Sequence, residues 1–241
     1  GKKGGKDEKK NAGVGPFRKG KYPLQERLRP LVLPDGMGEV GLDLGFTHFV
    51  GLDIVTTQAS FAYGVGDVVE LGVSTPFLLS PDFDALGVTL QGHYLAVDTK
   101  QFDFAPGLVI PVSFSDPPLG GVVIDLPGRY VVSDLVFLTF GQGAIPIGFS
   151  PDFTLAVAAN GGVGFQVDDG LALGLDTSLM TLGLAPDVAV TGLWELLVLG
   201  ATAQYSWDRN WDVGARVSVV NFWEIPDTLG FGISGFGRFR F

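Results

Sequence analysis

Phe153, Leu155, Val157, Ala159, Gly161, Val163, Phe165 and Val167 alternate with Thr154, Ala156, Ala158, Asn160, Gly162, Gly164 and Gln166. A period of two over this span is the pattern of a β-strand, whose successive side chains point to opposite faces. The alternation runs unbroken through Asn160-Gly161-Gly162, which in isolation would read as a turn. Residues 152–167 therefore read as one strand, at ~16 residues well beyond the usual 5–6. One face carries the large apolar groups; the other is small or polar.

The same reading extends outward in both directions. Val40, Leu42, Leu44 and Phe46 alternate with Glu39, Gly41, Asp43, Gly45 and Thr47. Ala59, Phe61, Tyr63 and Val65 run to a tight turn at Gly66-Asp67, and Val69, Leu71, Val73, Thr75 and Phe77 return. Twelve strands follow from this pattern, at about 38–49, 55–65, 68–79, 84–97, 101–114, 119–127, 131–142, 152–167, 171–182, 190–206, 211–223 and 228–241. Val131–Phe140 is apolar on both faces apart from Ser133, Asp134 and Thr139, so the pattern leaves its register open. No long stretch has a capped helical period, and helix is expected only in the arm and loops.

Composition decides which face meets water. Of 241 residues, 46% are hydrophobic and 17% charged, and after Lys21 the only lysine is Lys100. A soluble sandwich puts its large residues inside and mixed charges outside. Here the polar face holds too much Gly, Ala, Ser and Thr, and too little Lys and Glu, to be a wetted exterior. Inverting the assignment resolves this: the bulky face meets lipid and the small polar face lines a lumen. That pattern belongs to a closed, antiparallel transmembrane β-barrel, an up-and-down meander of about twelve strands. No apolar run approaches the ~20 residues of a spanning helix.

Connections alternate as such a barrel requires. Gly66-Asp67, Asp98–Lys100, Gly128-Arg129, Asp168–Gly170 and Asp208–Asn210 are short. Those at 50–54, Ser80–Phe83, Ser115–Pro118, Gly143–Pro151, Gly183–Ala189 and Glu224–Asp227 are generally longer. Aromatics fall at strand ends, as interfacial girdles do: Phe49, Phe77, Phe114, Trp194 and Trp223 on one rim, Trp207, Trp211 and Phe241 on the other.

The ending Leu229-Gly-Phe-Gly-Ile-Ser-Gly-Phe-Gly-Arg-Phe-Arg-Phe241 resembles the last strand of bacterial outer-membrane β-barrel proteins. The hairpin Phe61–Val73 is similar to a recurring hairpin of small Gram-negative barrels. In that family a terminal aromatic, with apolar residues at every second position before it, is read by the barrel assembly machinery. Phe231, Ile233, Phe239 and Phe241 fit that signal, while Gly235 and Gly237 depart from it. The resemblance covers residues 38–241 and implies residence in the bacterial outer membrane, among lipid and lipopolysaccharide. An even strand number places both termini in the periplasm.

Residues 1–37 precede the barrel and read as a flexible, basic periplasmic arm. Residues 1–29 hold ten Lys and Arg against three acids, a net +7, and are Gly-rich with few large apolar groups. Such a segment cannot offset its own ordering entropy. It lacks the interleaved aromatics of a nucleic-acid binder, so nucleic acid is not expected. An acidic periplasmic protein, or the lumen itself, is the expected counterpart.

The lumen parity carries Glu39, Asp43, Glu70, His93, Asp103 and Asp176 against Arg216, Arg238 and Arg240. An ion-pair cluster is expected at the closure seam between the two arginine-bearing last strands and Glu39 and Asp43. Alternatively these charges form a charge-selective constriction. The acidic surplus predicts a mild preference for cations. With no Cys and two separated His, neither a cofactor nor a metal is expected. Gly230-Phe-Gly-Ile-Ser-Gly235 matches a dinucleotide fingerprint formally but opens no helix. There is no Gly-x-Ser-x-Gly, and catalysis is not expected. Two functional classes remain: a small solute channel, and a non-conducting barrel that anchors a secretion, adhesion or gliding-motility complex.

Overall fold

A computed structural model describes residues 22–49, 51–149, 153–183, 196–222 and 229–241. Twelve antiparallel strands follow one another as a meander and close into a barrel. They are β1 (Gly38–Phe49), β2 (Leu52–Val65) and β3 (Val69–Ser80), then β4, built of Asp84–Ala85, Gly87–Tyr94 and Val97–Asp98. β5 comprises Phe102–Phe104 and Gly107–Ser113, β6 Gly121–Asp125 and Gly128–Val131, and β7 Val136–Phe140 and Ile145–Gly148. β8 (Thr154–Gln166), β9 (Leu171–Gly183), β10 (Leu196–Ser206), β11 (Trp211–Phe222) and β12 (Gly230–Arg240) complete it. β1 pairs with both β2 and β12, in register from Glu39↔Arg240 to His48↔Phe231, so no edge is left open.

The bulky rows face outward. Leu42 is 60% exposed, Leu175 57%, Val217 52% and Ile233 53%, although each sits in the middle of a paired strand. An apolar row this exposed on every side of the barrel lacks the solvation of a soluble surface and matches a lipid-facing wall. β8 runs straight through Asn160-Gly161-Gly162, with a bulge at Val157/Ala159.

Two boundaries around β6 and β7 differ from the sequence reading. Gly128-Arg129 is not a turn but part of β6, and the turn falls at 132–135. β7 continues to Gly148, past the expected loop start at Gly143. Both differences share a cause. β4 to β7 are each interrupted at one level, at Leu95-Ala96, Ala105-Pro106, Leu126-Pro127 and Gly141–Ala144. Proline has no N–H for a ladder bond, so Pro106 and Pro127 sit at breaks that resemble turns in sequence. The ladder resumes around them: Tyr94 N donates to Pro106 O at 2.9 Å, Ala105 N to Pro127 O at 3.0 Å and Leu126 N to Gly141 O at 2.9 Å. Gly141 has φ +81°, and a Cβ there would strike the Leu126 carbonyl, so this bulge needs glycine. β2 begins at Leu52, inside the loop expected over 50–54.

Short connections and both barrel ends share one mouth, where Gly38 N donates to Phe241 O at 3.0 Å and Phe241 N to Gly38 O at 2.9 Å. On this rim the rings of Trp207 and Trp211 stack at 5.8 Å, and Phe239 joins Trp211 at 4.6 Å and Phe241 at 6.1 Å. Trp194 and Trp223, expected on the opposite rim, lie outside the described residues. So do residues 1–21 of the arm.

Candidate functional site: the lumen and its occupied mouth

The seam register puts Glu39, Gly41 and Asp43 beside Arg240, Arg238 and Phe236, all on the inner face. Arg240 Nε lies 2.6 Å from Glu39 Oε2, and its Nη2 2.5 Å from Asp212 Oδ2. Arg238 packs its guanidinium over the Phe236 ring, 5.0 Å from the centroid. Asp43 and Arg238 both line a cavity of about 760 Å³, and neither forms an ion pair among the described residues. The expected seam cluster is thus Glu39 with Arg240, extended by Asp212.

Arg216 turns away from the seam. It reaches Asp176 on β9, with Nη2 3.1 Å and Nε 3.3 Å from Oδ2 and a further bond from Nη2 to Oδ1. Between them on β10 stands Gly200, the register partner of Asp176. A Cβ there would meet both the guanidinium and the carboxylate. Gly200→Leu is expected to separate the pair and lower stability by about 1–3 kcal/mol, the usual overpacking cost. The check is the urea unfolding midpoint, with Gly237→Leu as control, since nothing lies within 4 Å of a Cβ there.

A second cavity, of about 450 Å³, is lined by Glu70, His93 and Asp125 among others. Glu70, His93, Gly107 and Asp125 form one row across β3 to β6. A Cβ at Gly107 would collide with the His93 ring, so glycine lets that ring cross it. His93 Nε2 reaches Asp125 Oδ2 at 2.8 Å. Asp125 Oδ1 accepts from Gly143 N, inside the β7 break. That bond holds the break against the lumen, and Gln142 and Gly143 line both cavities. Asp103 pairs with Arg129 Nη2 at 2.6 Å.

Residues 22–37, counted with the arm in the sequence reading, lie inside the short-turn mouth. Val32 is 1% exposed and Arg29 3%. Tyr22, Leu33 and Met37 cluster together, with Ala62 of the wall against them. Arg29 makes a two-pronged pair with Asp212, at 2.6 and 3.0 Å, and donates to Ser206 Oγ at 2.9 Å. The Tyr22 ring lies under both Arg29 (5.4 Å) and Arg240 (4.9 Å). Burial pushes the Tyr22 phenol up to about 12, against the opposing pull of Arg240 and Arg29. Burial also pushes the Glu26 carboxyl up, but Arg29, Arg129 and Arg238 together outweigh it and hold it below its ordinary range.

Asp212 was legible in principle, since it shares the lumen parity of Arg216 on β11. Arg129 was hidden by Pro127-Gly128, which mimics a turn, and Asp125 by the weak pattern of β6. Arg29 carries no sequence signal at all. The C-terminal residues Phe231, Ile233 and Phe241 face outward and are about half exposed, and Phe239 packs into the aromatic rim.

An apolar exterior, a closed antiparallel wall and a polar, cavity-bearing interior define the fold class of outer-membrane porins. Among solved structures the chain is similar to the KdgM porin, at 13% identity and TM-score 0.57, over 83% of this chain and 98% of that one. It is similar to the NanC porin at 11% identity and TM-score 0.60, over 82% and 98%. An outer-membrane channel from Pseudomonas putida F1 matches at 13% identity and TM-score 0.54, over 92% and 99%. No known sequence family matches the chain, and no curated protein does.

Proposed function

We propose that this chain resides in the bacterial outer membrane, with both termini periplasmic, and passes small solutes through its lumen. The observation that carries the reading is the larger cavity, of about 760 Å³, lined by Asp43, Asp176, Arg216 and Arg238 inside a wall whose outer face is apolar. A lumen kept open and hydrophilic is what a channel needs. The KdgM and NanC porins share this barrel, which supports the reading at the level of fold. In this reading lipid and lipopolysaccharide surround the exterior, and the assembly machinery reads Phe231, Ile233, Phe239 and Phe241. Inner-face carboxylates outnumber guanidiniums, so a mild preference for cations goes with it. An acidic periplasmic protein is the counterpart of the basic residues in 1–21, since Arg27 and Arg29 pair with the barrel.

The occupied mouth favours a second reading, in which the barrel does not conduct and anchors an envelope complex. Planar-bilayer recordings across a KCl gradient separate the two. The full chain and a chain lacking residues 1–33 are compared. A steady, cation-favouring current from either supports the channel; silence from both removes it and leaves the anchor.

A further inference from the structure

We infer that the inner wall at the short-turn mouth is a peptide-binding site, and that residues 22–33 are its tethered ligand: an arginine-bearing segment, with one turn of 3-10 helix at Glu26–Leu28, that closes the barrel when docked and can leave it. The wall holds this segment in part as a receptor holds a peptide, through its main chain. Arg129 donates from Nη1 to the Glu26 carbonyl at 2.8 Å and from Nη2 to the Arg29 carbonyl. Gln166 Oε1 accepts from Arg27 N at 3.3 Å, and Glu70 Oε2 from Leu33 N at 3.0 Å. Such contacts ignore side-chain identity and set register.

One side chain supplies the anchor. The Arg29 guanidinium enters a pocket formed by Asp212, which is fully buried, and Ser206. A planar fork on a carboxylate, desolvated and buttressed by a hydroxyl, is the geometry that selects arginine over lysine. The receptor half stands without the ligand, because Ser206 donates to Asp212 at 2.5 Å and Arg240 already pairs with it. Departure of the segment therefore does not strip Asp212 of partners. The other arginine in the segment differs: Arg27, its own side chain 13% exposed, pairs with Asp134, whose side chain is 99% exposed. A pair whose carboxylate is fully hydrated contributes little, since water screens it. Binding thus rests on Arg29 and the main chain, with Gln204 donating from Nε2 to Glu26 Oε2 at 2.8 Å and Gln25 from Nε2 to Asp169 Oδ1 at 2.5 Å. The closing role rests on the channel reading above; the docking does not.

The chain has no cysteine, so a single introduced thiol reports docking cleanly. Val32→Cys places it at a position that is 1% exposed. In the full chain this thiol should react slowly with a hydrophilic maleimide. Adding Arg29→Ala should speed the reaction by at least about tenfold, because losing a buried charge pair costs more than the 1.4 kcal/mol that tenfold represents. Adding Arg27→Ala should change it by less than about twofold. In parallel, a fluorescent synthetic peptide of residues 22–33 should bind the Arg29→Ala chain by anisotropy. It should bind the unmodified chain at least about tenfold more weakly, since the tether keeps the native segment at roughly millimolar effective concentration. The same peptide carrying Arg29→Ala should not bind. Equal labelling rates with and without Arg29, or a peptide that binds neither chain, would overturn the inference. Faster labelling with saturable peptide binding but a silent bilayer would retain the docking site and remove the channel.

Discussion

Asp212→Ala is expected to lower the stability of the folded barrel by about 3–5 kcal/mol, the cost of breaking a buried ion pair from one side. The carboxylate is inaccessible to solvent and is shared by three donors, Arg29, Arg240 and Ser206. Its removal leaves two guanidiniums, each 3% exposed, with Glu26 and Glu39 as their remaining acidic partners. Neither can reach bulk water without moving the segment or opening the seam between β11, β12 and β1. Asp212→Asn should recover part of the loss, because the amide oxygen still accepts a hydrogen bond while the charge is gone. Urea unfolding in lipid vesicles, followed by tryptophan fluorescence, measures both; a loss below about 1 kcal/mol for the alanine variant would contradict the arrangement.

The orientation of the whole wall is tested by Leu42→Arg. Leu42 is 60% exposed on β1, and in a soluble protein an arginine at such a position would be nearly neutral. On a lipid face near the middle of the bilayer it should cost about 2–4 kcal/mol. Thr139→Lys is the companion, because Thr139 lines the larger cavity and its replacement should change ion selectivity more than stability. If both substitutions are tolerated equally in lipid vesicles, the bulky rows do not face acyl chains. If Leu42→Arg is costly and Thr139→Lys is not, inside and outside are assigned as described.

Strand number, meander order and the direction of the inner and outer rows, except in Val131–Phe140, were legible in the sequence. An alternation of two residues is a local property, repeated often enough that a shift of one residue would turn every Leu and Phe inward. The same parity placed Glu39, Asp43, Glu70, His93, Asp103, Asp176, Arg216, Arg238 and Arg240 on one side of the wall. It could not choose partners among them. Arg216 sits on β11 next to the seam but pairs with Asp176 on β9, because Gly200 leaves a gap one strand wide.

The break across β4 to β7 was legible only as Pro106, Pro127 and Gly141, each of which reads as punctuation in a local window. Whether a proline ends a strand or bends it depends on what the neighbouring strand offers at that level. For Pro127 this is Ala105 N, donated to its carbonyl from β5. Composition and alternation by themselves determined that this chain closes into a barrel with bulky rows outside, since those signals repeat within each strand. Only the tertiary structure decided that Tyr22–Met37 occupies the mouth. Its anchors lie more than a hundred residues away on β6 and β11, and a contact between distant segments leaves no periodic trace in either one.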